Sequence, residues 1–284
     1  MEFNFLINAS ELSRHLAEDS WAVVDCRFSL DDTERGCRDY LRGHIPGAVY
    51  AHLDRDLSGK AEKGRTGRHP LPETGSLAKT LSSLGIDSDT QVVVYDDAAG
   101  TMAVRLWWLL NWVGHRSVAL LDGGWLEWTK SGLSSRTGRE IRKSKIFKPR
   151  EISGVHVTSG EVQKILNNPR YAIFDARSGP RFRGEVEPID PVAGHIPGAV
   201  SAPCEENVNP DGRFLSSEIL RSRYEKLMKS VPPENVICYC GSGVTAAHNI
   251  FAIAYAGLGE ALLYAGSWSE WITDSARPIA TGSE

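Results

Sequence analysis

The apolar positions of this chain come in short, closely set runs rather than long stripes. Gln91–Tyr95, Tyr171–Phe174 and Val236–Tyr239 are brief and nearly continuous in apolar residues. Runs of that length without alternation predict strands buried on both faces, as in a parallel sheet covered by helices. Longer segments separate them. Ala246–Ala256 is apolar over about three helical turns. Asn8 followed by Glu11, and Thr158 followed by Glu161, read as N-caps of short helices, the second of which stops at Pro169. Strands alternating with helices imply an α/β fold with mainly parallel sheets, whose ligand sites lie at the carboxyl ends of the strands. Trp107, Trp108 and Trp112 fall on or near one helical face and are expected to pack internally rather than to stack on bases.

The pattern occurs twice. Gly43-His44-Ile45-Pro46-Gly47-Ala48-Val49 returns unchanged as Gly194-His195-Ile196-Pro197-Gly198-Ala199-Val200, 151 residues later. In the same order, Val24-Asp25-Cys26-Arg27 is answered by Phe174-Asp175-Ala176-Arg177, and Gly123-Gly124-Trp125-Leu126-Glu127-Trp128 by Gly266-Ser267-Trp268-Ser269-Glu270-Trp271. So long a period means two copies of a domain, each the size of one hydrophobic core. The expected division is residues 1–138, a solvated, Arg- and Lys-rich linker over 139–152, and a second domain over 153–284. His44, His195, Arg27 and Arg177 recur in both copies, which favours structural work for them.

Composition narrows the function. The 32 basic and 36 acidic residues leave a formal charge of −4, too near neutral to bring nucleic acid or an anionic membrane to the protein by net field. No apolar run reaches the roughly 18–20 residues of a membrane span, and the N-terminus lacks the basic region of a secretory signal, so a cytoplasmic protein is expected. Five cysteines, Cys26, Cys37, Cys204, Cys238 and Cys240, show no paired-CxxC spacing; neither a disulfide framework nor a zinc site is indicated. The eight histidines are scattered, and no metal or other cofactor is expected.

The candidate chemistry sits after Tyr239. Cys240-Gly241-Ser242-Gly243-Val244-Thr245 joins the strand Val236–Tyr239 to the following helix. Its glycines let successive N–H groups curl toward the sulfur, and the helix N-terminus adds positive partial charge. Such a nest favours a thiolate and binds anions without a basic residue in the loop. The other copy has Asp96 in place of Cys240, followed by Asp97-Ala98-Ala99-Gly100-Thr101; it lacks the thiol, its acidic residue would repel an anionic ligand, and it is expected to contribute one wall of the cleft. A cysteine phosphatase would need an arginine six positions after the cysteine, where this chain has Ala246. Cys238, inside the strand, is expected to be buried and inert.

These blocks together resemble the tandem rhodanese-type sulfurtransferases, over both halves of the chain. The resemblance implies two tandem rhodanese-like domains, each a mainly parallel sheet flanked by helices, the first non-catalytic and the second catalytic. It implies a cycle in which the Cys240 thiolate takes sulfane sulfur from a small donor and passes it to an acceptor, either a thiol such as that of a thioredoxin-like protein or cyanide. The loop Cys240–Thr245 is similar to that of the 3-mercaptopyruvate branch, whereas thiosulfate-preferring relatives carry basic residues where this chain has Gly241 and Ser242. Carried over by position, Arg181 binds the donor's anionic end together with the loop residues Gly241, Gly243, Val244 and Thr245, and Ser242, His69 and Asp54 form a relay. A second donor-binding arginine is expected after Glu187-Pro188, but Ile189 stands there, with Arg183 a possible substitute. The alternatives are a thiosulfate sulfurtransferase and a non-catalytic sulfur-carrier or binding module.

Overall fold

The computed structural model describes residues 3–283. Its strands are β1 (Leu6–Ile7), β2 (Trp21–Asp25), β3 (Val49–Tyr50), β4 (Gln91–Tyr95) and β5 (Val118–Leu121) in one sheet. The other sheet holds β6 (His156–Val157), β7 (Ala172–Asp175), β8 (Val200–Ser201), β9 (Val236–Tyr239) and β10 (Leu262–Tyr264). The orders β1-β5-β4-β2-β3 and β6-β10-β9-β7-β8 are the same topology twice, and every pairing is parallel. The protein is therefore α/β with two five-stranded parallel sheets. β2, β4, β5 and β9 are buried along their whole length, which is why they read as continuous apolar runs.

The N-cap signals hold: Asn8 Oδ1 accepts the Glu11 N–H at 2.8 Å, and Thr158 with Glu161 forms a complete capping box. The second of these helices, Ser159–Ile165, ends short of the expected stop at Pro169. In helix Ala103–Trp112 all but Asn111 are buried, so Trp107, Trp108 and Trp112 are core residues.

The repeated motifs form the same cluster in each unit. Arg27 makes a bidentate pair with Asp25, donates to Gly43 O at 2.6 Å and lies over the Trp125 ring at 4.8 Å. Arg177 does the same with Asp175, Gly194 O at 2.7 Å and Trp268 at 4.8 Å. His44 stacks on Tyr40 and bonds its carbonyl at 2.8 Å; His195 stacks on Phe182 and bonds its carbonyl at 2.7 Å. Tyr95 and Tyr239 hydroxyls take the N–H groups of Ile45 and Ile196. Each tyrosine is the last residue of its strand, so the cluster fixes the point from which the next loop departs.

The chain divides into two compact units that do not follow the sequence repeat strictly. One contains the residues up to Gly59, Pro72–Ile152 and Pro210–Phe214; the other contains Lys60–Leu71, Ser153–Asn209 and Leu215 onward. Each repeat thus gives the segment following its Gly-His-Ile-Pro-Gly-Ala-Val block to the opposite unit. Residues 139–152, read above as a solvated linker, lie along the first unit: Lys145 N–H bonds Ser82 O at 3.0 Å, Arg150 N–H bonds Val113 O at 2.9 Å, and Phe147 is buried.

Candidate active site

In the second unit β9 ends at Tyr239, and helix Ala246–Tyr255 begins after the loop Cys240–Thr245. Cys240 is 2% exposed, and its Sγ accepts the Gly243 N–H at 3.2 Å. Gly243 has φ +76°, and a Cβ there would come within 2.2 Å of Ala265 O, so the residue that aims its N–H at the sulfur has to be glycine. Val244 is buried, and Thr245 is the N-cap of the helix. The thiol and its N–H donor therefore come from one turn.

Gly241 shows what stands beside the loop. A methyl group on it would stand 2.8 Å from Arg68 Nη2 and 3.6 and 3.7 Å from Arg181 Nη2 and Nη1. Two guanidinium groups thus flank the loop, although the loop itself carries no basic residue. Arg181, in the short helix Gly179–Arg183, donates to Glu187 Oε1 at 2.7 Å and Oε2 at 3.2 Å, and to Asp190 Oδ2 at 3.2 Å. Arg68 pairs with the other oxygen of Asp190. Both carboxylates are nearly sealed from solvent, with side chains 4% and 2% exposed. Burial opposes the charge on Glu187, but Arg181 and the N–H groups of Asp190 and Ile189 outweigh it and hold the carboxyl below its usual range. Burial wins at Asp190, whose carboxyl is raised despite Arg68 and Arg181.

His69 Nδ1 lies 2.8 Å from Ser242 Oγ, and both residues are buried. Arg68 and His69 belong to the segment Lys60–Leu71, which is part of the second unit. Cys240, Ser242, His69, Arg181 and the loop glycines therefore gather in one unit. Asp54 does not belong to it: it lies in the first unit, in the first turn of helix Leu53–Asp56. Arg183 is not a second clamp, because its guanidinium pairs at the surface with Glu185 at 2.7 and 2.8 Å. Sequence reasoning missed Arg68, Glu187 and Asp190.

The other cysteines have different surroundings. Burial pushes the Cys204 thiol up to about 12, with the nearby Glu205 and Cys240 charges adding to it, and burial raises Cys238 further still. All five cysteines are free. Among the described residues no group of three or more His, Cys, Asp or Glu could hold a metal ion. No helix among them is long and apolar enough to cross a membrane.

The matching loop of the first unit is filled by its own side chain. Asp96 is 1% exposed, and its carboxylate accepts the N–H groups of Ala98, Gly100, Met102 and Ala103 at 2.8, 2.8, 2.7 and 2.8 Å. The expectation was that an acidic residue would repel an anion here; the structure adds that the carboxylate is itself the anion the cradle holds.

The family model described as a rhodanese-like domain matches residues 8–131 and 158–274. A Pseudomonas aeruginosa protein provisionally named 3-mercaptopyruvate sulfurtransferase is 49% identical over 278 residues, covering 98% of each chain. A Mycobacterium tuberculosis protein provisionally named thiosulfate sulfurtransferase SseB is 39% identical over 285 residues, covering 98% of this chain and 97% of that one. Among solved structures, the 3-mercaptopyruvate sulfurtransferase from Leishmania major superposes with a TM-score of 0.84 at 32% identity, over 97% of this chain and 76% of the other.

Proposed function

The chain belongs to the rhodanese-like family and is a sulfurtransferase, and from that premise we propose that Cys240 carries sulfur as a persulfide taken from 3-mercaptopyruvate. The observation that carries the reading is the buried thiol under the Gly243 N–H with two guanidiniums beside Gly241. The Cys240 thiolate attacks the donor's sulfur, an S–S bond forms, the donor's C–S bond breaks, and its electron pair leaves as the pyruvate enolate. The proton released from the donor thiol ends on the enolate carbon, giving pyruvate and Cys240–S–S⁻. An acceptor thiolate or cyanide then takes the outer sulfur and returns the Cys240 thiolate.

Each group has a task in that scheme. Arg181 and Arg68 hold the donor's carboxylate, Arg68 serving where the resemblance led one to expect an arginine at position 189. The loop N–H groups support the persulfide anion. The Ser242–His69 pair polarises the donor's carbonyl and moves its proton; Asp54 joins it on the resemblance alone. The setting is cytoplasmic, supported by five free thiols, which a reducing compartment keeps reduced. The acceptor is a small or protein thiol, or cyanide.

A second reading, with thiosulfate as the main donor, is favoured by the name of the M. tuberculosis relative and by two guanidiniums able to meet a dianion. The test is kcat/KM for 3-mercaptopyruvate and for thiosulfate with cyanide as acceptor, using Cys240→Ser as the blank. A large preference for mercaptopyruvate with no turnover by the variant upholds the proposal. A thiosulfate preference overturns the donor assignment, and turnover by Cys240→Ser overturns the persulfide.

A further inference from the structure

We propose that Ser267 is a positioning residue that sets the orientation of the Cys240 peptide and thereby keeps Sγ under the loop's N–H groups. The proposal rests on the reading of Cys240 as the sulfur-carrying nucleophile. Ser267 is fully buried, and its φ is +54°, a left-handed conformation that side chains other than glycine rarely adopt. Its hydroxyl accepts the Cys240 N–H at 3.0 Å and donates to Tyr264 O at 2.9 Å. The next two residues continue the grip: Trp268 N–H bonds Cys240 O at 3.0 Å, and Ser269 N–H bonds Gly241 O at 2.9 Å. Both sides of the peptide chain at Cys240 are therefore held by one turn, and the turn's only side-chain contribution to Cys240 is the Ser267 hydroxyl.

The first unit supplies the comparison. Its equivalent turn is Gly123-Gly124-Trp125, and Trp125 N–H bonds Asp96 O at 2.8 Å, matching Trp268 on Cys240. Gly124 has φ +56°, almost that of Ser267. There the turn sits too close for a side chain, since a Cβ on Gly124 would lie 2.3 Å from Asp96 O. The same left-handed position is thus glycine where the loop ends on a carboxylate held by four N–H groups. It is serine where the loop ends on a thiol that accepts the Gly243 N–H. Backbone conformation alone favours glycine at both places, so what the serine adds is its hydroxyl on Cys240. Strain kept beside a reactive group is understandable if the strained residue holds that group in place.

The test uses Ser267→Gly and Ser267→Ala in the full chain. Both remove the hydroxyl; glycine also relieves the left-handed strain, whereas alanine keeps it. Three quantities are read: kcat and KM for 3-mercaptopyruvate, the melting temperature, and the rate at which iodoacetamide alkylates Cys240 relative to the other four cysteines, followed by peptide mass. The expected result is a kcat about tenfold lower in both variants, the equivalent of about 1.4 kcal/mol. KM stays within about twofold, Cys240 alkylation slows in parallel, and Ser267→Gly melts no lower than Ser267→Ala. If either variant keeps wild-type kcat and wild-type Cys240 alkylation, the hydroxyl is not what places the sulfur and the proposal falls; loss in Ser267→Ala alone would assign the effect to the left-handed backbone instead. The alkylation rate needs no sulfur donor. A wild-type protein that turns over no donor yet shows the serine-dependent alkylation would overturn the sulfurtransfer reading while leaving the positioning role standing.

Discussion

Arg68 and Arg181 share Asp190, one on each carboxylate oxygen, but they are not equivalent. Arg181 also holds Glu187 through two bonds, so its loss leaves a buried carboxylate without its main partner beside the place where the donor's own carboxylate would sit. Arg181→Ala is expected to raise KM for 3-mercaptopyruvate by one to two orders of magnitude, about 1.5–3 kcal/mol for a charge-assisted contact, with a smaller change in kcat. Arg68→Ala should move KM the same way by less, since Asp190 keeps Arg181; steady-state kinetics with both variants decide it, and an unchanged KM in either removes that arginine from the clamp. The Glu187 carboxyl lies below its usual range in the folded protein. The stability it contributes is fully present above its unfolded value of about 4.3 and is lost as pH falls through the lower folded value. Glu187→Gln should therefore flatten the decline of melting temperature below roughly pH 4.3, and an acid limb identical to wild type would count against the Arg181–Glu187 pair as its source. At this scale the grouping of Cys240, Ser242 and Arg181 around one loop was legible because each belongs to a local motif. Arg68 was not, because nothing in Gly67-Arg68-His69 shows that the segment folds onto the loop around Gly241.

At the scale of single elements, the two strand-to-helix loops are one device with two fillings. The second unit's loop holds a thiol and leaves room beside it for two guanidiniums; the first unit's loop is closed by four N–H bonds to Asp96. Asp96→Ala would leave four N–H donors, that of Ala103 buried and the others partly so, without their acceptor, and a cost of about 3 kcal/mol is expected from the loss of charge-assisted bonds to a buried carboxylate. Added sulfate or thiosulfate at millimolar concentration should raise the variant's melting temperature more than the wild type's, by occupying the emptied cradle. A thermal melt of the two proteins with and without the anion measures both effects, and equal anion responses would mean that the loop collapses rather than opens. The sequence let the parallel strands and the loop be read because apolar runs and glycines act locally. It also showed that the first copy lacks the thiol. That the substituted aspartate caps the loop from within depends on four N–H groups converging in space, which no spacing rule displays.

For the molecule as a whole, the repeat announced two domains, and the three repeated blocks mark the cluster that builds each one. What the repeat could not announce is that each unit is completed by a segment from the other half of the sequence, Lys60–Leu71 in one direction and Pro210–Phe214 in the other. The exchange is visible in the contacts: Arg68 N–H bonds Ser269 Oγ at 3.1 Å, and Phe214 N–H bonds Asp122 Oδ1 at 3.0 Å. Hydrophobic periodicity cannot reveal this, because the segments carry few apolar residues and their partners lie more than 90 positions away. The consequence is that residues 153–284, a complete domain by sequence, contain Cys240 and its cradle but neither Arg68 nor His69. Expressed alone, that fragment should still present Cys240 to iodoacetamide, since the thiol's N–H donor and the turn Gly266–Ser269 are its own. It should nonetheless turn over 3-mercaptopyruvate at least about a thousandfold less efficiently than the full chain, because Arg68, half of the proposed carboxylate clamp, and His69, the partner of Ser242, are missing together. Residues 1–152 supplied as a separate chain should restore part of the activity, and a peptide of residues 60–71 a smaller part. If the fragment alone matches the intact protein in kcat/KM while its Cys240 reacts normally, then the exchanged segment contributes only packing, and the clamp has to be assigned to Arg181 without Arg68.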